Sequence, residues 1–265
     1  MALSIEIDPV ALHIGTMALR WSALAYPATL VACAATLFRL RRRERLLPEG
    51  QWPFDLCVWV AVGVVAGARL GEVILYRPAY FLEHPLDILA PGRGGMASHG
   101  ALLGAFIAAW VFARRRGLDR WLLLDALAVG APWGFLFARL GNFVDGRPMG
   151  ALSNLPWAVV HPAVDALPRH PVQLYGALGE GALLWVLVAA FPYPRFGIGS
   201  RAAFACIAYA VIRIVVEAFK AADPEPGIVA TGLANGQLYS VVLLAAGVAI
   251  FIRTSRSRYP TPIAK

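Results

Sequence analysis

Residues 121–150 read W-L-L-L-D-A-L-A-V-G-A-P-W-G-F-L-F-A-R-L-G-N-F-V-D-G-R-P-M-G. The first part, Trp121 to Phe137, is apolar almost throughout and lies within the roughly 17–25 residues that a helix uses to cross the hydrocarbon of a bilayer. The rest, Ala138 to Gly150, sets Arg139, Asn142, Asp145 and Arg147 among three glycines. An apolar run that ends in so many polar groups indicates a membrane span followed by a site.

The whole chain supports the first half of that reading. Of its 265 residues 59% are hydrophobic and the mean hydropathy is +0.63, against roughly 45–50% apolar residues in ordinary soluble domains. The start, with Glu6, Asp8, Pro9 and His13, lacks the basic opening and small-residue cleavage site of a signal peptide, so the first apolar run is expected to stay as a helix. Cys33, Cys57 and Cys206 lie within apolar runs and show no C-x-x-C or Cys/His spacing, which reads as small buried side chains with no disulfide and no metal. The net charge of +8 belongs to loop arginines, not to a nucleic-acid partner.

Spans are expected near Met17 to Phe38, Phe54 to Tyr76, Met96 to Ala113, Trp121 to Phe137, Val172 to Phe191, Ala202 to Phe219 and Gly236 to Ile252. Arginine clusters follow the first (Arg39 to Arg45), third (Arg114 to Arg120), fifth (Arg195, Arg201) and seventh (Arg253 to Arg258), which are alternate loops. Positive loops face the cytoplasm, so this alternation favours about seven transmembrane helices, an outer N-terminus and a cytoplasmic C-terminus. The fold class is therefore an all-α polytopic membrane protein, residues 1–265 forming one membrane domain. Residues 138–171, rich in proline, are expected to form a small outer lobe.

Against the apolar background stand Arg20, Tyr26, Arg69 with Glu72, His99, Asp125, Arg139 with Asn142, and Tyr209, Arg213 with Glu217. An arginine at bilayer depth costs roughly 2.5–3.5 kcal/mol on insertion scales, so such residues pair or line a wet cavity. Arg69 with Glu72 and Arg213 with Glu217 have the spacing to pair along their own helices. His99 sits in G-G-M-A-S-H-G-A-L-L-G, and Tyr209, Arg213 and Glu217 recur every four residues on one helical face. A histidine and two arginines near headgroup level point to recognition of an anionic phospholipid, since guanidinium matches phosphate with two parallel hydrogen bonds.

At these residues the chain resembles the prolipoprotein diacylglyceryl transferase family. The family signature is similar to G-R-I-G-N-F-I-N-G-E-x-x-G, where this chain has A-R-L-G-N-F-V-D-G-R-P-M-G. Further matching stretches are I-D-P-V, A-L-R-W, A-R-L-G-E-V-I-L-Y, G-G-M-A-S-H-G-A-L-L-G, R-H-P-V-Q-L-Y-G and Y-A-V-I-R-I-V-V-E, in the family's order over nearly the whole length. The departures are Ala138 for the first glycine, Arg147 for the usual acid, Met149 for an aromatic, Ala101 for a glycine after His99, and Ser22 for a tyrosine.

The resemblance implies a multi-pass enzyme of the bacterial inner membrane. It would move diacylglycerol from phosphatidylglycerol to the lipobox cysteine of a prolipoprotein signal peptide, forming a thioether and releasing glycerol phosphate. Arg139 and Arg213 would hold the phosphate, while His99 would either take the thiol proton or bind the headgroup glycerol. Tyr26, Arg69, Asn142, Asp145, Gly150, Tyr209 and Glu217 would bind or orient the lipid. No cofactor and no metal are implied. The charge reversal at Arg147 also admits a paralogue with a different acceptor. A transporter or channel fits less well, because no inverted repeat is visible in the sequence.

Overall fold

The computed structural model describes residues 3–15, 17–44, 50–90, 97–162, 164–192, 195–221 and 235–256. In chain order, short strands β1 (Leu3–Ser4), β2 (Val10–Ile14) and β3 (Met17–Arg20) precede α1 (Trp21–Glu44) and α2 (Trp52–Gly71). A π-helical segment, Glu72–Tyr76, leads to α3 (Pro78–Glu83), a 3-10 turn (Pro85–Leu89) and α4 (Ser98–Arg116). Then come α5 (Arg120–Gly130), α6 (Pro132–Val144), β4 (Val159–Val160), α7 (Val172–Gly176), a second π-helical segment (Ala177–Leu183), α8 (Leu184–Ala189), α9 (Ser200–Glu217) and α10 (Asn235–Thr254).

Among the described residues five helices are long and apolar enough to cross a membrane: Trp21–Glu44, Trp52–Ile74, Arg120–Val144, Val172–Ala189 and Gly236–Thr254. At the third and sixth expected spans stand α4 and α9, of 19 and 18 residues. The chain is thus an all-α polytopic membrane protein. α9 carries Arg201, Arg213 and Glu217, which lowers its hydropathy and gives it chemistry.

Several boundaries differ from the sequence reading. Met17–Arg20 is not the start of the first span but pairs antiparallel with Val10–Ile14, Val10 opposite Arg20 and Ile14 opposite Met17, across a turn at Gly15. In the fourth span the hydrogen-bond ladder is interrupted at Pro132, which has no N–H to continue it, while Ala131 keeps helical dihedrals. The span runs on through Val144, so Ala138 to Val144, expected at the start of the outer lobe, is helical. Arg201, expected in a positive loop, is only 2% exposed at the start of α9.

The chain divides into two compact units. Residues 37–126 form one of them, in which α2 and α4 pack along a seam of glycines. A Cβ built on Gly67 would lie 2.3 Å from the carbonyl oxygen of Gly100, and one on Gly63 2.5 Å from that of Gly104. Glycine at four-residue intervals lets the two backbones touch, the packing available to helices in lipid where burial of apolar surface supplies little drive. The close approach expected around His99 is therefore present in its backbone neighbour Gly100.

The other unit comprises residues 1–36 and 127–261. α6 packs against α7 and the π-helical segment that follows it, while α9 packs against α10. Thr36 accepts a hydrogen bond of 3.0 Å from the indole of Trp133 and returns its own hydroxyl proton to the Ala32 carbonyl, so neither polar group is left bare in the apolar interior. The lobe after α6 is tied down by strand pairing: β1 runs parallel to β4, and Val159 pairs with Arg169.

Candidate active site

Three sequence features converge in the unit of residues 1–36 and 127–261. Arg139 lies on α6, one turn before Asn142 on the same face. Glu180 lies in the π-helical segment of L-G-E-G-A-L, where the wider turn re-aims side chains and often marks a functional position. Arg213 and Glu217 are one turn apart on α9.

Glu180 joins the arginines. Its Oε2 accepts from Arg139 Nε at 2.8 Å and stands 2.8 Å from Arg139 Nη2; its Oε1 accepts from Arg213 Nη1 at 2.9 Å. The Glu180 side chain is wholly buried, while those of Arg139 and Arg213 keep 13% and 14% of their surface exposed. A buried carboxylate divided between two guanidiniums satisfies both of its oxygens and fixes both cations without covering them. From Arg213 the chain of charges continues to Glu217 Oε2 at 2.8 Å, and from Glu217 Oε1 to Lys220 Nζ at 3.0 Å. Three cations thus share two carboxylates. Gly176 makes room for this: a Cβ there would lie 2.7 Å from Arg139 Nε.

The loop after Arg139 is held from two sides. Met149 accepts from the Ala221 amide at 3.0 Å and Phe219 from the Ala151 amide at 2.8 Å, a short antiparallel bridge that pairs Gly150 with Lys220. On the lobe side, Arg169 Nη1 donates to the Gly150 carbonyl at 2.9 Å and Gln173 Nε2 to the Pro148 carbonyl at 2.9 Å. Gly150 admits no side chain, because a Cβ would sit 2.0 Å from the His170 carbonyl oxygen. Arg169 is itself held by Asp165 Oδ2 at 2.7 and 2.9 Å. That hydrogen bond keeps the Asp165 carboxyl below its usual pKa, while burial lowers His161. With Gly146, Met149 and Gln173 these residues line a small cleft of about 10 Å³.

The remaining expected residues fall in different places. Asp145 ends α6, its carboxylate 3.7 Å from Arg20. Tyr209, two turns before Glu217, stacks on Phe135 with ring centroids 4.7 Å apart. The backbone carbonyl of Asn142 accepts from the Arg147 amide at 3.2 Å. Tyr26 is 64% exposed on α1. In the unit of residues 37–126, Arg69 gives its guanidinium to the carbonyls of Asp87, Ile88 and Ala90 and lies over the Phe81 ring, which makes it a clamp on the chain beyond α2. His99 is in the first turn of α4, and its side chain lies outside the described residues.

Glu180, Lys220, Arg169 and Gln173 were not singled out from the sequence. For Glu180 a signal existed, since a lone acid within an apolar span is a functional candidate by default.

The model of the family described as prolipoprotein diacylglyceryl transferase matches residues 9–253. The chain belongs to that family. Among the family's similar members is the phosphatidylglycerol-prolipoprotein diacylglyceryl transferase of Methylocella silvestris, 42% identical over 253 residues, which are 92% of each chain. The enzyme of the same name from Azoarcus sp. is 38% identical over 262 residues, covering 96% of this chain and 97% of that one. That from Aromatoleum aromaticum is 38% identical over 260 residues, covering 96% and 98%. As a member of this transferase family, the chain places its signature arginine, Arg139, on the same buried carboxylate as Arg213.

Proposed function

We propose that this protein transfers the diacylglyceryl group of phosphatidylglycerol to a prolipoprotein, the first step of lipoprotein maturation. The observation that carries the reading is Glu180, which brings Arg139 and Arg213 together while each keeps part of its side chain exposed, 13% and 14%. A phosphodiester offers two unesterified oxygens that share one negative charge, and paired guanidiniums match them.

The lipobox cysteine thiolate attacks the glycerol carbon that bears the phosphate ester. The carbon–oxygen bond breaks as the carbon–sulfur bond forms, so the bonding pair leaves with the phosphate and glycerol phosphate departs as the dianion. Arg139 and Arg213 stabilise the charge that grows on that leaving group. The thiol, with an ordinary pKa near 8.5, gives its proton to a base, and His99 is the residue assigned to it. Asn142, Asp145 and Tyr209 orient the headgroup, and Glu217 with Lys220 steadies Arg213. Tyr26 and Gly150 complete the lipid contacts. Placement in the inner membrane, with the arginine loops cytoplasmic and the lobe of residues 145–171 periplasmic, puts the reaction where secreted precursors emerge.

The test is incubation of the purified protein with phosphatidylglycerol and a lipobox peptide, followed by mass spectrometry. The expected product is the peptide heavier by one diacylglycerol on its cysteine. An unmodified peptide, with glycerol phosphate absent, overturns the proposal. Lipid consumption without peptide modification points instead to a different acceptor, the reading that Arg147 keeps open.

A further inference from the structure

Among the described residues, the most exposed large apolar side chains lie together on one short segment. Leu82, Leu86 and Leu89 are 83%, 82% and 83% exposed, spaced four and three residues apart between α3 and the 3-10 turn that follows it. Leu86 and Leu89 share one side of the 3-10 turn, where positions three apart eclipse, and Leu82 stands on the helix just before it, across the non-helical His84. The opposite face is fastened. Phe81 is 2% exposed beneath the Arg69 guanidinium, and that guanidinium holds the carbonyls of Asp87, Ile88 and Ala90. Tyr80 donates its hydroxyl proton to Asp87 Oδ2 at 2.6 Å, and His84 stacks on the Tyr80 ring at 4.8 Å. The segment therefore cannot turn its leucines inward without breaking an arginine clamp.

We infer that Pro78–Leu89 is an interfacial anchor whose three leucines enter the lipid at the membrane face where α2 ends. Two observations select lipid over another protein. The chain reaches this segment along an exposed apolar side, where Val62 and Leu70 of α2 and Ile74 of the π-helical segment after it are 65%, 52% and 64% exposed, a surface suited to hydrocarbon in a membrane helix. The leucines also emerge beside Arg77, lying over the Tyr80 ring at 4.7 Å, and aromatic and basic side chains settle at headgroup level. A segment lying in the interface sinks its apolar face about 5–10 Å, into the boundary between headgroups and acyl chains. By the arginine alternation that boundary belongs to the outer leaflet. The inference stands apart from the transfer reaction.

The experiment places a single environment-sensitive fluorophore at Leu82→Cys, Leu86→Cys or Glu83→Cys, in the full chain with Cys33, Cys57 and Cys206 replaced by alanine. All three sites are exposed, so the label displaces no packed side chain. The proteins are reconstituted in phosphatidylglycerol-containing nanodiscs with a spin label either high on the acyl chain or near its end. The labels at positions 82 and 86 should emit as in an apolar medium and be quenched roughly twofold more by the shallow spin label than by the deep one, as expected for interfacial depth. The label at position 83 should report water. Water-like emission at 82 and 86 without lipid quenching overturns the inference. So does an apolar signal that the lipid labels leave untouched and that disappears when each disc holds one chain, which would place the leucines against a second copy.

Discussion

Replacing Glu180 with glutamine keeps the side chain's shape and deletes the charge that two guanidiniums share. The amide oxygen can still accept from one arginine, but the amide nitrogen, itself a donor, then faces the donors of the other. Since Glu180 is completely buried and its bonds to Arg139 and Arg213 are 2.8 and 2.9 Å, no solvent rearrangement softens the conflict. Removing one partner of a buried ion pair costs about 3–5 kcal/mol, because a charge is left without compensation. The partial exposure of both arginines sets this case at the lower end. If about 3 kcal/mol of that is expressed in the placement of the cations, phosphatidylglycerol turnover should fall by roughly two decades at 1.4 kcal/mol each. Glu180→Asp is the companion variant: it retains the charge, but a chain one methylene shorter cannot reach both arginines, so its activity should lie between the two. Initial rates with a lipobox peptide, read beside thermal unfolding in the same detergent, separate placement from global stability. If Glu180→Gln transfers within about twofold of the parent, well inside that two-decade expectation, the arginines do not depend on Glu180 and the reasoning fails.

Arg139→Lys keeps one positive charge and loses the two-pronged fork, so transfer should drop sharply while insertion and folding persist; rates and size-exclusion profiles check this. Gly150→Ala would drive a methyl into the His170 carbonyl and push the loop off its bridge to Lys220, so both the unfolding temperature and the rate should fall. His161 has a folded pKa below its ordinary 6.5, so its contribution to stability is complete above pH 6.5 and is lost as pH falls below that value toward the folded pKa. Thermal melts of His161→Asn across pH 5 to 8 should therefore show a smaller acid-side decline than the parent's. Gly67→Leu should separate α2 from α4 and lower the unfolding temperature by several degrees or abolish expression, as scanning calorimetry or a thermal-shift series will show.

Much of the architecture was legible because lipid leaves few options: a run of about 20 apolar residues is a helix. The hairpin at Val10–Arg20 escaped because M-A-L-R is apolar enough to merge with the run after it, and only Gly15 marks the turn that sends it back along V-A-L-H-I. The extension of α6 to Val144 escaped for the opposite reason. Arg139, Asn142 and Gly141 look like the end of a span, yet the helix continues because Gly141 is pressed against Ser22 of α1 and Arg139 has a carboxylate waiting within the protein. The two arginines could be singled out by depth alone. What joined them could not, since Glu180 comes from a third stretch of chain, and only folding reveals which acid faces which base.

The glycine seam between α2 and α4 acts as a vernier. With no side chains between Gly63, Gly67 and Gly71 on one helix and Gly100 and Gly104 on the other, the backbones mesh at a single height, and sliding by one residue would bring Cβ atoms against carbonyls. Gly100 directly follows His99, so the level at which the histidine's backbone sits along the membrane normal is graduated by notches cut in another helix.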